Sequence, residues 1–297
     1  MTAPLAVPFC TCDVFTDRRF GGNPLAVVLE ANALSQVQMQ AVAREFNFSE
    51  TVFVLPPSDP GHSARIRIFT PKHEVPFAGH PTVGTAFALA SVNPDRHGAD
   101  RIVLRAAIGP ITIALERHNG EVTRCTFSAP RLPHPGPQAP RRDELAAMLA
   151  LPVSQVLEPA EFWSCGLSFL VVPLASVEAL QRCRLDLTVW AGVLGNYECK
   201  NVYPVAQAGA SWRVRMFAPE AGVSEDPATG SAAAAFAGWL AAYAPQAAPR
   251  ATYTLLQGEE IGRPSRIDVQ IDRDGDRISA VRVAGASVMV SQGTLLV

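Results

Sequence analysis

Hydrophobic positions along this chain alternate between two periods, and the changes of period mark its elements. Val14 and Phe15, then the run from Leu25 to Leu29, read as strands around a Gly-Gly-Asn-Pro turn. Leu34, Val37, Met39, Val42, Ala43 and Phe46 recur at helical spacing, with Ser35 near the start. "NFSE" breaks that pattern before the β-rich "TVFVLPP", so Glu50 is expected at a helix-to-strand junction. "ARIRIFT" alternates as a strand does, and the stretch 99–128 offers several strands separated by "AIGP" and "HNGE" turns. The first half is therefore mainly β.

Between Ala129 and Arg142, "APRLPHPGPQAPRR" holds five prolines and no apolar period, which excludes a helix or a central strand. A linker there divides an N-terminal lobe, 1–130, from a C-terminal lobe, 141–297, with the last strand placed to return to the first lobe. Beyond it, a helical "RDELAAMLAL" leads into strands "SFLVVPL", "NVYPVAQ" and "WRVRMFA", a wholly apolar helix, and the strands "RIDVQID" and "ISAVRVAGASVMVSQGTLLV".

The second half repeats the order of the first. Arg67, Phe69 and Pro71 in "RIFTP" match Arg215, Phe217 and Pro219 in "RMFAP" at an offset of 148. Pro81 and Gly84 match Pro227 and Gly230 at an offset of 146, with Thr85 against Ser231 and Ala86 against Ala232. Duplication accounts for both. In "GHPTVG" and "EDPATG" a polar residue precedes a proline, which suits the first helical position and puts His80 and Asp226 at N-caps. The helices that follow are apolar on nearly every side, as expected of a helix enclosed by a curved sheet. The fold expected is α+β, two similar lobes each wrapped around one helix. Helix N-termini attract anions, so the two starts are expected to line an interlobe cleft that grips a carboxylate-bearing substrate.

Composition narrows the function. Of 297 residues 48% are hydrophobic and 18% charged, enough for a core and against disorder. Lys plus Arg number 25 against 27 Asp plus Glu, leaving no excess for a nucleic-acid backbone or an anionic membrane. The longest apolar stretch, 14 residues from Ser231, falls short of the ~20 needed to span a bilayer. The N-terminus has no basic n-region and two prolines interrupt its apolar part, so a cytoplasmic location is expected. The six cysteines are scattered and read as reduced, mostly buried thiols. The histidines lack metal-ligand spacing, and no phosphate-binding or dinucleotide glycine motif is present. No metal, nucleotide or flavin cofactor is implied.

"GNPLAVV", "FNFSETVFV", "RIRIFTP", "FAGHPTVGTA", "RMFAPEAGVSEDPATGSA" and "GRPS" occur in that order between about residues 13 and 266. Together they resemble the phenazine-biosynthesis PhzF-like isomerase family, within the diaminopimelate epimerase fold. The resemblance implies two similar lobes, cofactor-free proton transfer in the cleft between them, and a homodimer. It implies Glu50 as general acid/base, His80 and Asp226 as the polar partners of the substrate, and Gly79, Gly230 and Ser231 as oxyanion-binding backbone. A partly enclosed apolar setting raises a carboxyl pKa toward neutrality, which lets one group remove a proton and return it elsewhere. Epimerases and racemases of the same fold place a cysteine at each helix start; 79–82 and 225–229 contain none.

Without the resemblance, Glu50 reads as a surface carboxylate, His80 and Asp226 as ordinary caps, Arg67 and Arg215 as structural braces, and Asn23 as a turn former. The function expected is an isomerase moving a proton on a small carboxylate-bearing unsaturated or cyclic substrate, similar to trans-2,3-dihydro-3-hydroxyanthranilate isomerase. The alternatives are a single-base isomerase or epimerase of another amino-acid-like metabolite, and a catalytically silent small-molecule-binding member of the fold.

Overall fold

The structure, a computed structural model, describes residues 5–94, 97, 99–244 and 248–297; the first four residues of the N-terminal stretch lie outside them. The chain forms two compact units, 1–128 with 284–297, and 129–283.

In the first unit Ser287–Leu296 pairs antiparallel with Ala6–Val14, which pairs antiparallel with Asn23–Val28. Asn23–Val28 lies parallel to Glu50–Leu55, which is antiparallel to Ala64–Phe69. Ala64–Phe69 is parallel to Arg101–Ala106, and antiparallel pairing with Gly109–His118 and then Glu121–Ser128 completes the sheet. Each parallel step needs a crossover, and each crossover carries a helix. Gln36–Phe46 makes the first, started by a Ser35/Gln38 capping box and ended by Asn47 in the left-handed region. Gly79–Val92 makes the second and is buried from Gly79 to Ala90, packed on strands from both ends of the sheet. A Cβ on Gly84 would lie 2.6 Å from Leu25 Cδ2 and Val14 Cγ2, so glycine lets this helix seat against the sheet.

The second unit repeats the pattern with different lengths. His134–Pro135, Glu161–Ser164 and Ser168–Pro173 pair antiparallel in turn, and Ser168–Pro173 is parallel to Val202–Ala208. Val202–Ala208 is antiparallel to Ser211–Val214, which is parallel to Arg250–Gln257, which is antiparallel to Ser265–Asp274. The crossovers are again helical: Val177–Arg182 with Leu187–Leu194, then the buried Gly230–Tyr243. Six successive pairings thus agree in direction between the units, with helices at the same two steps. Paired side chains agree as well. Arg67 forks onto Glu74 and lies 5.1 Å over the Phe69 ring, while Arg215 forks onto Glu225 and lies 4.9 Å over Phe217. An internal duplication explains an arrangement that chance pairing would not repeat.

Two expectations change. Residues 129–142 belong to the second unit, because His134 and Pro135 pair with Ser164 and Trp163, whereas residues 284–297 return to the first as expected. Neither His80 nor Asp226 is an N-cap. The first buried helix begins at Gly79 after Ala78, which puts His80 second and Pro81 third; the other begins at Gly230, four residues past Asp226, with Thr229 as its N-cap. Pro81 sits in a first turn, where N–H groups have no intrahelical partner and proline is tolerated, whereas Pro227 lies in the turn before its helix. All six cysteines are free, five of them buried.

Candidate active site

In the first unit Asn23 and Glu50 begin parallel neighbouring strands, with Leu25 opposite Glu50 in register. His80, in the first turn of the buried helix, meets both. Asn23 Nδ2 lies 3.1 Å from His80 Nδ1, and Glu50 Oε2 lies 3.6 Å from the same nitrogen. The His80 side chain is 3% exposed and that of Glu50 18%. Burial pushes the imidazole pKa down to about 3, so the ring is neutral and its approach to Glu50 is a dipolar contact, not an ion pair. Nε2 has no hydrogen-bond partner among the described residues, and in the tautomer in which Nδ1 accepts from the Asn23 amide it carries the ring proton. A buried donor left so costs free energy that a ligand acceptor would recover. Gly79 and His80 supply first-turn N–H groups and Pro81 supplies none; no side chain caps them.

In the second unit Asp226 is buried in the turn that leads to Gly230, its N–H donating to Met216 C=O at 2.9 Å. Thr229 is the N-cap residue, but its hydroxyl donates to Asp226 Oδ2 at 2.5 Å instead of capping the helix. The N–H groups of Gly230 and Ser231 are therefore left without a side-chain cap, and both residues are buried. Tyr203 is fully buried nearby; burial first, and the Asp226 carboxylate second, push its phenol far up and keep it neutral.

Every expected site residue thus lies at the start of one of the two buried helices or against it: Glu50, Gly79 and His80 in one unit, Asp226, Gly230 and Ser231 in the other. Asn23, expected to form a turn, is fully buried and reaches the His80 ring. Thr229, Gln257 and Ser265, which hold the Asp226 turn, were given no role by the sequence; Thr229 lay within "EDPATG" and Ser265 within "GRPS", and Gln257 left no trace. Among the described residues no cluster of metal-ligating side chains occurs, and no helix is long and apolar enough to cross a membrane.

The family model for phenazine biosynthesis-like protein matches residues 12–293. The chain is 41% identical over 285 residues to trans-2,3-dihydro-3-hydroxyanthranilate isomerase of Pseudomonas aeruginosa, covering 96% of this chain and 98% of that one. It is 41% identical over 295 residues to an uncharacterized isomerase of Mesorhizobium japonicum, covering 96% and 97%. The crystal structure of a PhzF-family phenazine biosynthesis protein from Bacillus anthracis superposes with a TM-score of 0.87 at 26% identity, over 99% of this chain and 100% of that one. Likeness over whole chains, in sequence and in fold, makes this protein a member of the phenazine biosynthesis-like family and an isomerase.

Proposed function

We propose that this isomerase moves a proton between two carbons of a small, unsaturated, cyclic carboxylate of the trans-2,3-dihydro-3-hydroxyanthranilate class, with Glu50 as the base that takes the proton and returns it. The observation that carries the reading is the pairing of a half-buried carboxyl with a neutral, fully buried imidazole at an uncapped helix start. The relative named for that reaction supports the substrate class. Glu50 removes a proton from carbon, and the negative charge spreads through the conjugated system onto the substrate's oxygens. First-turn N–H groups of Gly79 and His80 stabilise that charge, and His80 polarises the substrate as a neutral donor through Nε2. The family resemblance gives Asp226, Gly230 and Ser231 of the second unit a substrate-binding part. Glu50 then delivers the proton to the second carbon, so product and substrate are isomers and no redox partner is consumed.

The test is turnover of trans-2,3-dihydro-3-hydroxyanthranilate followed by NMR in D₂O. The expected result is an isomer carrying deuterium at the newly protonated carbon, to the extent that the Glu50 carboxyl exchanges with solvent between removal and return. Glu50→Gln should lower kcat by about 10² to 10⁴-fold while ligand still binds, because the helix starts are untouched. Near-parental turnover by Glu50→Gln would remove Glu50 from the reaction. An active parent on a different amino-acid-like carboxylate, and none on this one, would move the substrate assignment and leave the proton chemistry standing.

A further inference from the structure

Gln257 closes the Arg250–Gln257 strand and is 1% exposed. Its amide is fully engaged with the turn that carries Asp226. Oε1 accepts from the Thr229 backbone N–H at 3.2 Å; Nε2 donates to the Asp226 carbonyl at 2.8 Å and to Thr229 Oγ1 at 3.0 Å. The amide orientation is forced, because turning it over would set NH₂ against an N–H and oxygen against a carbonyl. Since Thr229 Oγ1 accepts a hydrogen bond from Gln257 Nε2, its own hydrogen points to Asp226 Oδ2, 2.5 Å away. The relay therefore has one direction, from amide to hydroxyl to carboxylate.

The neighbouring chain makes this approach close. Gly258 has φ +82°, and a Cβ there would lie 2.6 Å from the Pro227 carbonyl oxygen. Ser265 Oγ lies 3.0 Å from the same oxygen and 2.9 Å from the Arg263 carbonyl, and shares its one hydrogen between them. The turn 226–229 is thus held from one side by a buried amide, a hydroxyl and a backbone that admits no side chain.

We infer that Gln257 and Thr229 are positioning residues for Asp226, setting the plane of its carboxylate through Oδ2 and, by diverting the Thr229 hydroxyl, leaving the N–H groups of Gly230 and Ser231 open to an anionic ligand. This rests on the reading that Asp226 handles the substrate. Thr229→Val removes the hydroxyl at nearly constant shape, Thr229→Ser keeps it, and Gln257→Glu presents an acceptor that draws the hydroxyl away from Asp226.

Kinetics with trans-2,3-dihydro-3-hydroxyanthranilate, in the parent and in an Asp226→Asn background, form a double-mutant cycle. Thr229→Val and Gln257→Glu should each lower kcat/KM at least about tenfold, Thr229→Ser should stay within about threefold, and in the Asp226→Asn background either change should add less than about twofold. Equal losses in both backgrounds, or a parental Thr229→Val protein, overturn the relay while Asp226 keeps its role. Near-parental activity of Asp226→Asn overturns the role and the relay together. One readout is independent of substrate. The Asp226 carboxyl carbon resonance, identified by its loss in Asp226→Asn, should move in Thr229→Val and Gln257→Glu and return in Thr229→Ser; a resonance that stays put in all of them refutes the relay whatever the enzyme turns over. If one variant does not fold, the other carries the test.

Discussion

At neutral pH His80 is uncharged because no water reaches its ring, and that has a consequence for stability. Its folded pKa of about 3 lies below the ordinary value of 6.5, so between them the unfolded chain binds a proton that the native one refuses. The contribution is fully present above 6.5 and is lost as pH falls toward 3. Urea unfolding across that range should show the parent losing up to about 1.4 kcal/mol per pH unit more than His80→Gln. Parallel slopes would mean that the imidazole protonates in the folded protein as easily as in the unfolded one. His80 stood out as a candidate in "FAGHPTVGTA". Its neutrality and its Asn23 partner did not, because Asn23 is 57 residues away and in sequence looks like any asparagine in a turn.

Among the elements, the two Arg–Glu braces look alike in sequence and differ in what they contribute. The Arg215 and Glu225 side chains are 4% and 9% exposed, and Arg215 also donates to the carbonyls of Leu180 and Cys183. The Arg67 and Glu74 side chains are 26% and 31% exposed. Removing one partner of a buried pair strands a charge, so Glu225→Ala should cost about 3 to 5 kcal/mol. Solvent screens the other pair, and Glu74→Ala should cost about 1 kcal/mol or less. Denaturant midpoints measure both, and equal losses would show that burial does not set the difference. The Gln36–Phe46 helix was readable from its period and its Ser35 start. The short helices Val177–Arg182 and Leu187–Leu194 went unread, although Ser176 and Asp186 cap them with side-chain bonds. Each is too brief for a hydrophobic period to emerge.

On the scale of the whole molecule, the first unit is closed by the far end of the chain. Ala6–Val14 pairs with Ser287–Leu296 along its entire length, and Leu5 and Val297 exchange backbone hydrogen bonds. A chain ending at residue 283 would leave Ala6–Val14 as an unpaired edge, which promotes aggregation. It should be insoluble or unfold without a cooperative transition by circular dichroism. A soluble truncated protein that melts as the full chain does would show that the last strand is dispensable. The duplication was visible in "RIFTP" and "RMFAP", but its extent came from matching strand directions and crossovers, which share almost no residues.

What the sequence by itself determined is local or contiguous: the periods that set strands and helices, the glycines and prolines that end them, and the motif strings that carry the family and single out Glu50, His80 and Asp226 as candidates. Tertiary structure decided which groups meet. The Gln257 amide reaches Thr229 across 28 residues, and the last strand joins the first unit through a hydroxyl pair 280 residues apart. Such partners are set by strand register and crossover length, and hydrophobic period carries neither. Burial then assigned the energies, because the same arginine, glutamate or histidine changes its charge and its worth with the water that reaches it.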